Sequence, residues 1–215
     1  MIGHVYARTA AAAGIDAVVV ATDDERIAQA VRAFGGAVRM TAANHLTGLD
    51  RVAEVAADLT CDLVVNVQGD EPLIEPGAIA EVIAPFGRDG RLQMATLRRR
   101  ITDPGDIDNP HIVKVVVDVH DRALYFSRSA VPFVLDATQP VFKHVGLYAY
   151  RRAFVRELAA LPQTPLERAE SLEQLRALEH GFQICAVETH YDSIGVDTPE
   201  DLERVRRQIT VGTRA

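Results

Sequence analysis

Cysteine is scarce, with only Cys61 and Cys185 in 215 residues. Each stands alone in apolar surroundings, so two free buried thiols are expected rather than a disulfide framework. Long apolar runs are missing as well. None approaches the roughly 18 residues needed to cross a bilayer, and no secretory leader is expected. A cytoplasmic protein is expected. Positive charge is also short, because 23 Lys and Arg face 30 Asp and Glu, for a formal net charge of −7. That balance offers nothing to nucleic acid or to an anionic membrane, and neither partner is expected. Repeats, low-complexity tracts and obvious linkers are absent from the sequence, so residues 1–215 are read as a single domain.

What is present is a soluble, globular composition, 48% hydrophobic and 25% charged. The first third alternates helices with short apolar strands. A helix is expected over residues 2–13, a strand at 16–21 (DAVVVA), a helix to Phe34 and a strand at 37–40. A helix over 50–59 and the strand VVNV follow. Such alternation implies βαβ units and a mainly parallel sheet. The middle changes character, with strands expected at 94–100, 113–118, 123–126 and 144–150 and little helix between them. That run reads as an inserted β-rich section. Helices over 151–161 and 166–179, the strand QICAVE and a last helix from Thr198 complete the pass.

Chemistry concentrates at two strand ends. VVNV runs into Gln68-Gly69-Asp70-Glu71-Pro72, and in open parallel sheets ligands bind beyond the carboxyl ends of strands. Gly69 lets backbone approach a ligand, and Asp70 offers hard oxygen to Mg²⁺. A simple turn cap before Pro72 explains the same residues equally well. The second stretch, Gly195-Val196-Asp197-Thr198-Pro199-Glu200-Asp201, repeats the logic. Thr198 as N-cap and Pro199 at N1 account for all of it except Asp197. Two carboxylates without a cysteine or histidine cluster suit Mg²⁺ better than zinc, in a site for phosphoryl or nucleotidyl transfer.

The segments VVVATDDERIAQAV, VNVQGDEP, NPHIVKVV, ALYFSRS, KHVGLYAYR, LERAESLEQLR and GVDTPEDLERVR span nearly the whole chain. Their order and wording resemble the 3-deoxy-manno-octulosonate cytidylyltransferase (CMP-Kdo synthetase) family of lipopolysaccharide synthesis. The resemblance implies an α/β, nucleotidyltransferase-like, mainly parallel sheet flanked by helices, with an inserted β-rich dimerisation section. It implies CMP transfer from CTP to 3-deoxy-D-manno-octulosonate (Kdo), with release of diphosphate. By the resemblance Asp70 and Asp197 are the Mg²⁺ and catalytic carboxylates, and Gly48 and Arg51 lie in the nucleotide loop. The sugar-acid pocket falls on Gln68, Arg128, His144, Tyr148, Glu173 and Gln174. The family works as a homodimer, with the contact expected between about Asn109 and Tyr150.

Read without the resemblance, His144 and Tyr148 share one face of an alternating strand that could be ordinary core. Glu173 and Gln174 could equally be a solvated helix face, and Arg128 a surface residue. Two other functions stay open on the residues: transfer to a different sugar acid, such as an 8-amino-Kdo or a sialic acid, and sugar-acid binding without catalysis. The chain departs from the family in two places. Leu49 stands where the nucleotide loop usually carries threonine. By the resemblance, Met1-Ile2-Gly3-His4-Val5 corresponds to the helix after the family's opening strand and its glycine-bearing loop, which grips the CTP triphosphate, and no other glycine-rich loop in residues 1–215 replaces that loop. The expectation is that this chain alone is poorly soluble or loosely folded and has little activity.

Overall fold

The side chains that precede the helices decide where the helices start. In the computed structural model, which describes residues 1–45, 47–136, 138–192, 195–196 and 198–212, Asp24 accepts the Arg26 N–H at 2.7 Å and opens α2 (Glu25–Ala33). Thr47 and Asp50 form a reciprocal capping box at the head of α3 (Gly48–Ala57). Thr198 and Asp201 exchange hydrogen bonds at the start of α8 (Pro199–Gly212), the cap expected from the sequence. The remaining helices are α1 (Ile2–Ala10), α4 (Pro76–Ile83), α5 (Arg152–Ala160), α6 (Pro165–Glu170) and α7 (Leu175–Glu179).

Eight strands are described: β1 (Val19–Thr22), β2 (Ala37–Met40), β3 (Leu63–Asn66), β4 (Met94–Arg100), β5 (Lys114–Val117), β6 (Ala123–Ser127), β7 (Phe142–Arg151) and β8 (Ile184–Glu188). They form two sheets. β1 and β2 pair in parallel by themselves. The larger sheet runs β6-β5-β7-β4-β8, with β3 joined to the far end of β7. The α/β class holds. Parallel pairing among the described strands is confined to β1·β2 and β4·β8, because the long β7 runs antiparallel to each of its partners β3, β4 and β5. The β-rich middle section is present as β5, β6 and the first half of β7.

Two local expectations shift. The first strand begins at Val19 rather than residue 16, since its partner β2 offers only four residues of ladder. The helix expected over 166–179 is broken into α6 and α7. Ser171 takes a left-handed conformation (φ 54°), and a buried ion pair from Glu167 to Arg176 (2.6 Å) pins the two pieces together. A helical run of sequence cannot announce such a kink when the capping residue is serine and not glycine.

Core packs on both faces of β7, as strand alternation requires. Val145, Leu147 and Ala149 face α4 through Ile79 and Val82. Tyr148 and Tyr150 face the opposite layer, built from Leu49 and Ala53 of α3, Phe154 and Leu158 of α5, and Leu175 of α7. The pairing of β4 with β7 slips between Thr96 and Leu97. The slip leaves β7 carbonyls off the ladder, and the buried Thr96 hydroxyl lies 2.9 Å from Leu147 O and 3.2 Å from Val145 O. That irregularity sets the floor of the site.

Candidate active site

The QGDEP turn follows β3 directly. Glu71 N–H closes it onto Gln68 O at 3.3 Å, with Gln68 and Asp70 half-buried. The Val196 N–H donates to Asp70 O at 2.9 Å. This one bond lays the loop before α8 beside the QGDEP turn; the second stretch, expected at a strand end, is not one, because β8 already stops at Glu188. Asp197 itself lies outside the described residues.

Beside these loops opens a cavity of about 300 Å³, lined by Glu71, His111, Lys143, His144, Gly146 and Asp192 among others. Asp192 is clamped by Arg99 and by Lys143, the latter at 2.7 Å, and those cations hold its carboxyl below the usual range against the opposing effect of burial. His144 stands edge-on to Phe126 at 5.1 Å and lies 5.3 Å from the Tyr148 ring. Burial pushes its pKa down to about 3, so the imidazole is neutral at any working pH. Thr96 has one proton, and β7 carbonyls take it. The imidazole Nε2, 2.9 Å from Thr96 Oγ1, is therefore assigned as the N–H donor. That tautomer leaves Nδ1 as a hydrogen-bond acceptor, suited to a sugar hydroxyl.

A second cavity, of about 450 Å³, is lined by Thr47, Gly48, Glu167, Arg168, Ser171 and Glu173 among others. Glu173 accepts the Leu49 N–H at 3.4 Å, and burial raises its pKa despite that bond. Its charge also helps burial to raise the Tyr148 and Tyr150 phenols, which stay protonated. Gln174 is buried, and its Nε2 has no hydrogen-bond partner among the described residues. The candidate sugar residues therefore do not line one cavity. His144 belongs to the first and Glu173 to the second, while the Tyr148 ring lies 5.3 Å from that of His144.

Arg128 sits just past β6, half-buried. Its Nε donates to Glu170 O at 2.8 Å and its Nη1 to Pro110 O at 3.1 Å. Glu170 accepts the Arg128 N–H and the Ser127 hydroxyl. Arg51, on α3, reaches back to Asp23 at 3.1 Å and to the Thr41 hydroxyl, so it stands beyond the end of β1. Gly48, the first residue of α3, has open space where a Cβ would point. Lys143, Asp192 and His111 escaped the sequence reading. No spacing rule pairs a lysine on one strand with an aspartate beyond another, although KH at the head of a strand was a usable hint.

Comparison with known proteins identifies the family. The profile of a family described as cytidylyltransferase matches residues 1–186. A 3-deoxy-manno-octulosonate cytidylyltransferase from Solibacter usitatus is 53% identical over 209 residues, covering 96% of this chain and 83% of that protein. A protein of the same name from Pelobacter propionicus is 54% identical over 220 residues, covering 97% of this chain and 86% of its own. This chain belongs to the 3-deoxy-manno-octulosonate cytidylyltransferase family. A solved CMP:2-keto-3-deoxy-manno-octonic acid synthetase, complexed with CTP, superimposes with a TM-score of 0.93 at 43% identity. The match covers 98% of this chain and 88% of that one. A Leptospira borgpetersenii cytidylyltransferase at 16% identity, with a TM-score of 0.61, shares the fold alone.

Proposed function

We propose that the chain transfers CMP from CTP to Kdo. The anomeric hydroxyl of Kdo attacks the α-phosphorus and gives up its proton to water, the bond from that phosphorus to the bridging oxygen breaks, and diphosphate leaves with the electron pair. The observation that carries this reading is the bond from Val196 N–H to Asp70 O, which joins the loop before α8 to the QGDEP turn beside the His144 cavity. Asp70 and Asp197 would hold Mg²⁺. Among the described residues no group of three or more His, Cys, Asp or Glu side chains gathers as a metal cage. A site of two carboxylates completed by phosphate oxygens and water fits Mg²⁺. When bound, the ion offsets the negative charge that develops on the phosphates. The chain's own residues position the reactants: Gly48 and Arg51 the nucleotide, Gln68, Arg128, His144, Tyr148, Glu173 and Gln174 the sugar acid. Diphosphate release from CTP, Kdo and Mg²⁺ tests the activity, and a panel of other sugar acids tests the choice of Kdo.

The neutral His144 accepts a hydroxyl through Nδ1, and the raised Tyr148 phenol donates one. Arg128→Ala, His144→Ala and Glu173→Ala are accordingly expected to raise KM for Kdo by roughly 5- to 150-fold, the effect of unpairing one buried polar partner. KM for CTP should rise much less. Steady-state kinetics with each substrate varied in turn checks this, and equal effects on both substrates would refute the division.

The working unit we propose is a homodimer in the cytoplasm. No described helix is long and apolar enough to cross a membrane. Phe133 and Leu135 are 89% and 91% exposed in the β-rich section, where apolar side chains would be expected to find a partner surface. Sedimentation at micromolar concentration should give a dimer, and F133D/L135D a monomer. A wild-type monomer would contradict the assignment.

A further inference from the structure

Lys114 is fully buried, with 0% exposure, in a strand of valines. A lysine ammonium is almost never buried without partners, because desolvating the charge is expensive. Here Nζ donates to three backbone carbonyls: Asn109 O at 2.8 Å, Ile112 O at 2.6 Å and Arg128 O at 2.7 Å. Those three acceptors use all three of its protons. In the ladder Lys114 lies directly opposite Lys143, an unfavourable like-charge pair unless each ammonium is engaged elsewhere. Lys143 turns to Asp192, and Lys114 turns inward.

The acceptors belong to two pieces of the site. Asn109 and Ile112 bracket the turn that carries His111 into the wall of the first cavity. Arg128 is the candidate sugar-acid arginine, and its own Nη1 returns to Pro110 O in the same turn. The result is a closed clamp. Lys114 grips the turn and the Arg128 backbone, while the Arg128 guanidinium grips the turn from the other side. We propose that Lys114 is a positioning residue, whose ammonium fixes the 109–112 turn and Arg128 relative to each other and so shapes the wall on which the sugar acid docks. The proposal rests on the reading of the site given above.

The test uses Lys114→Met, which keeps the unbranched stem and removes the ammonium donors, and the milder Lys114→Gln. Hydrogen exchange should rise at least tenfold at the amides of His111, Ile112 and Arg128, with β4 and β8 unchanged. KM for Kdo should rise at least tenfold and KM for CTP by less than twofold. In an Arg128→Ala background, Lys114→Met should add less than threefold, since both changes open the same clamp. Unchanged local exchange, equal effects on the two substrates, full additivity with Arg128→Ala, or failure of both variants to fold would each overturn the proposal. A wild-type chain that does not use Kdo would instead refute the functional reading, and the exchange measurement would still decide the clamp.

Discussion

Asp70→Asn is expected to lower Mg²⁺-dependent turnover by about 1000-fold or more. The substitution keeps the shape of the side chain and replaces a charged oxygen by a neutral amide nitrogen. Mg²⁺ holds few protein ligands and needs their charge, and the Lewis-acid contribution it makes to phosphoryl chemistry is several kcal/mol. At about 1.4 kcal/mol per tenfold in rate, a loss of roughly 4 kcal/mol gives the stated factor. The fold should survive, because the swap is isosteric and leaves in place the Asp70 backbone carbonyl that accepts the Val196 N–H. Asp197→Asn should behave alike. Diphosphate release as a function of Mg²⁺ concentration, with a thermal melt of each variant, separates the cases. A variant that keeps the wild-type rate at ordinary Mg²⁺ would remove its carboxylate from the metal site.

Much of the fold could be read from periodicity, and the reasons for the rest are physical. The alternation of KHVGLYAYR marks β7 and puts His144 and Tyr148 on one face, where their rings do meet. Caps at Asp24 and Thr198 mark helix starts by the same local chemistry that the sequence displays. Strand direction is different in kind. It depends on partners brought together from distant segments, so the antiparallel course of β7 could not be read from its own residues. The site divides in the same way. Asp70, His144 and Arg128 stand where the motifs suggested, at strand ends or on an inward face. What holds them, Thr96 against His144 and Glu170 against Arg128, comes from other elements and carries no local signal. Lys114 was visible as a charge inside VKVVV, but only its three carbonyl partners give that charge a meaning.

The second large effect is expected at the slot between the two sheets. β1 is paired with β2 along one edge, and β3 with β7 along one edge, while α3 packs on both β1 and β3. Val19, Val20 and Ala21 on one side and Leu63, Val64 and Val65 on the other are only half-buried, although their composition is that of central strands. Each such edge presents a row of backbone N–H and C=O groups without ladder partners, and a backbone group buried unpaired costs about 1–3 kcal/mol. About 30 family-like residues placed before Met1, enough for one strand and one phosphate loop, should occupy this slot and join the sheets. A net gain of about 3–5 kcal/mol would raise the melting temperature on the order of 10 °C for a chain of this size. The added loop should also lower KM for CTP at least tenfold, because α3, which carries the proposed nucleotide residues Gly48 and Arg51, packs on both β1 and β3 beside the slot. Thermal unfolding and diphosphate release, compared between the 215-residue chain and the extended one, give the answer. Equal melting temperatures would show that the two edges are already satisfied, and equal KM values for CTP would show that another segment grips the triphosphate.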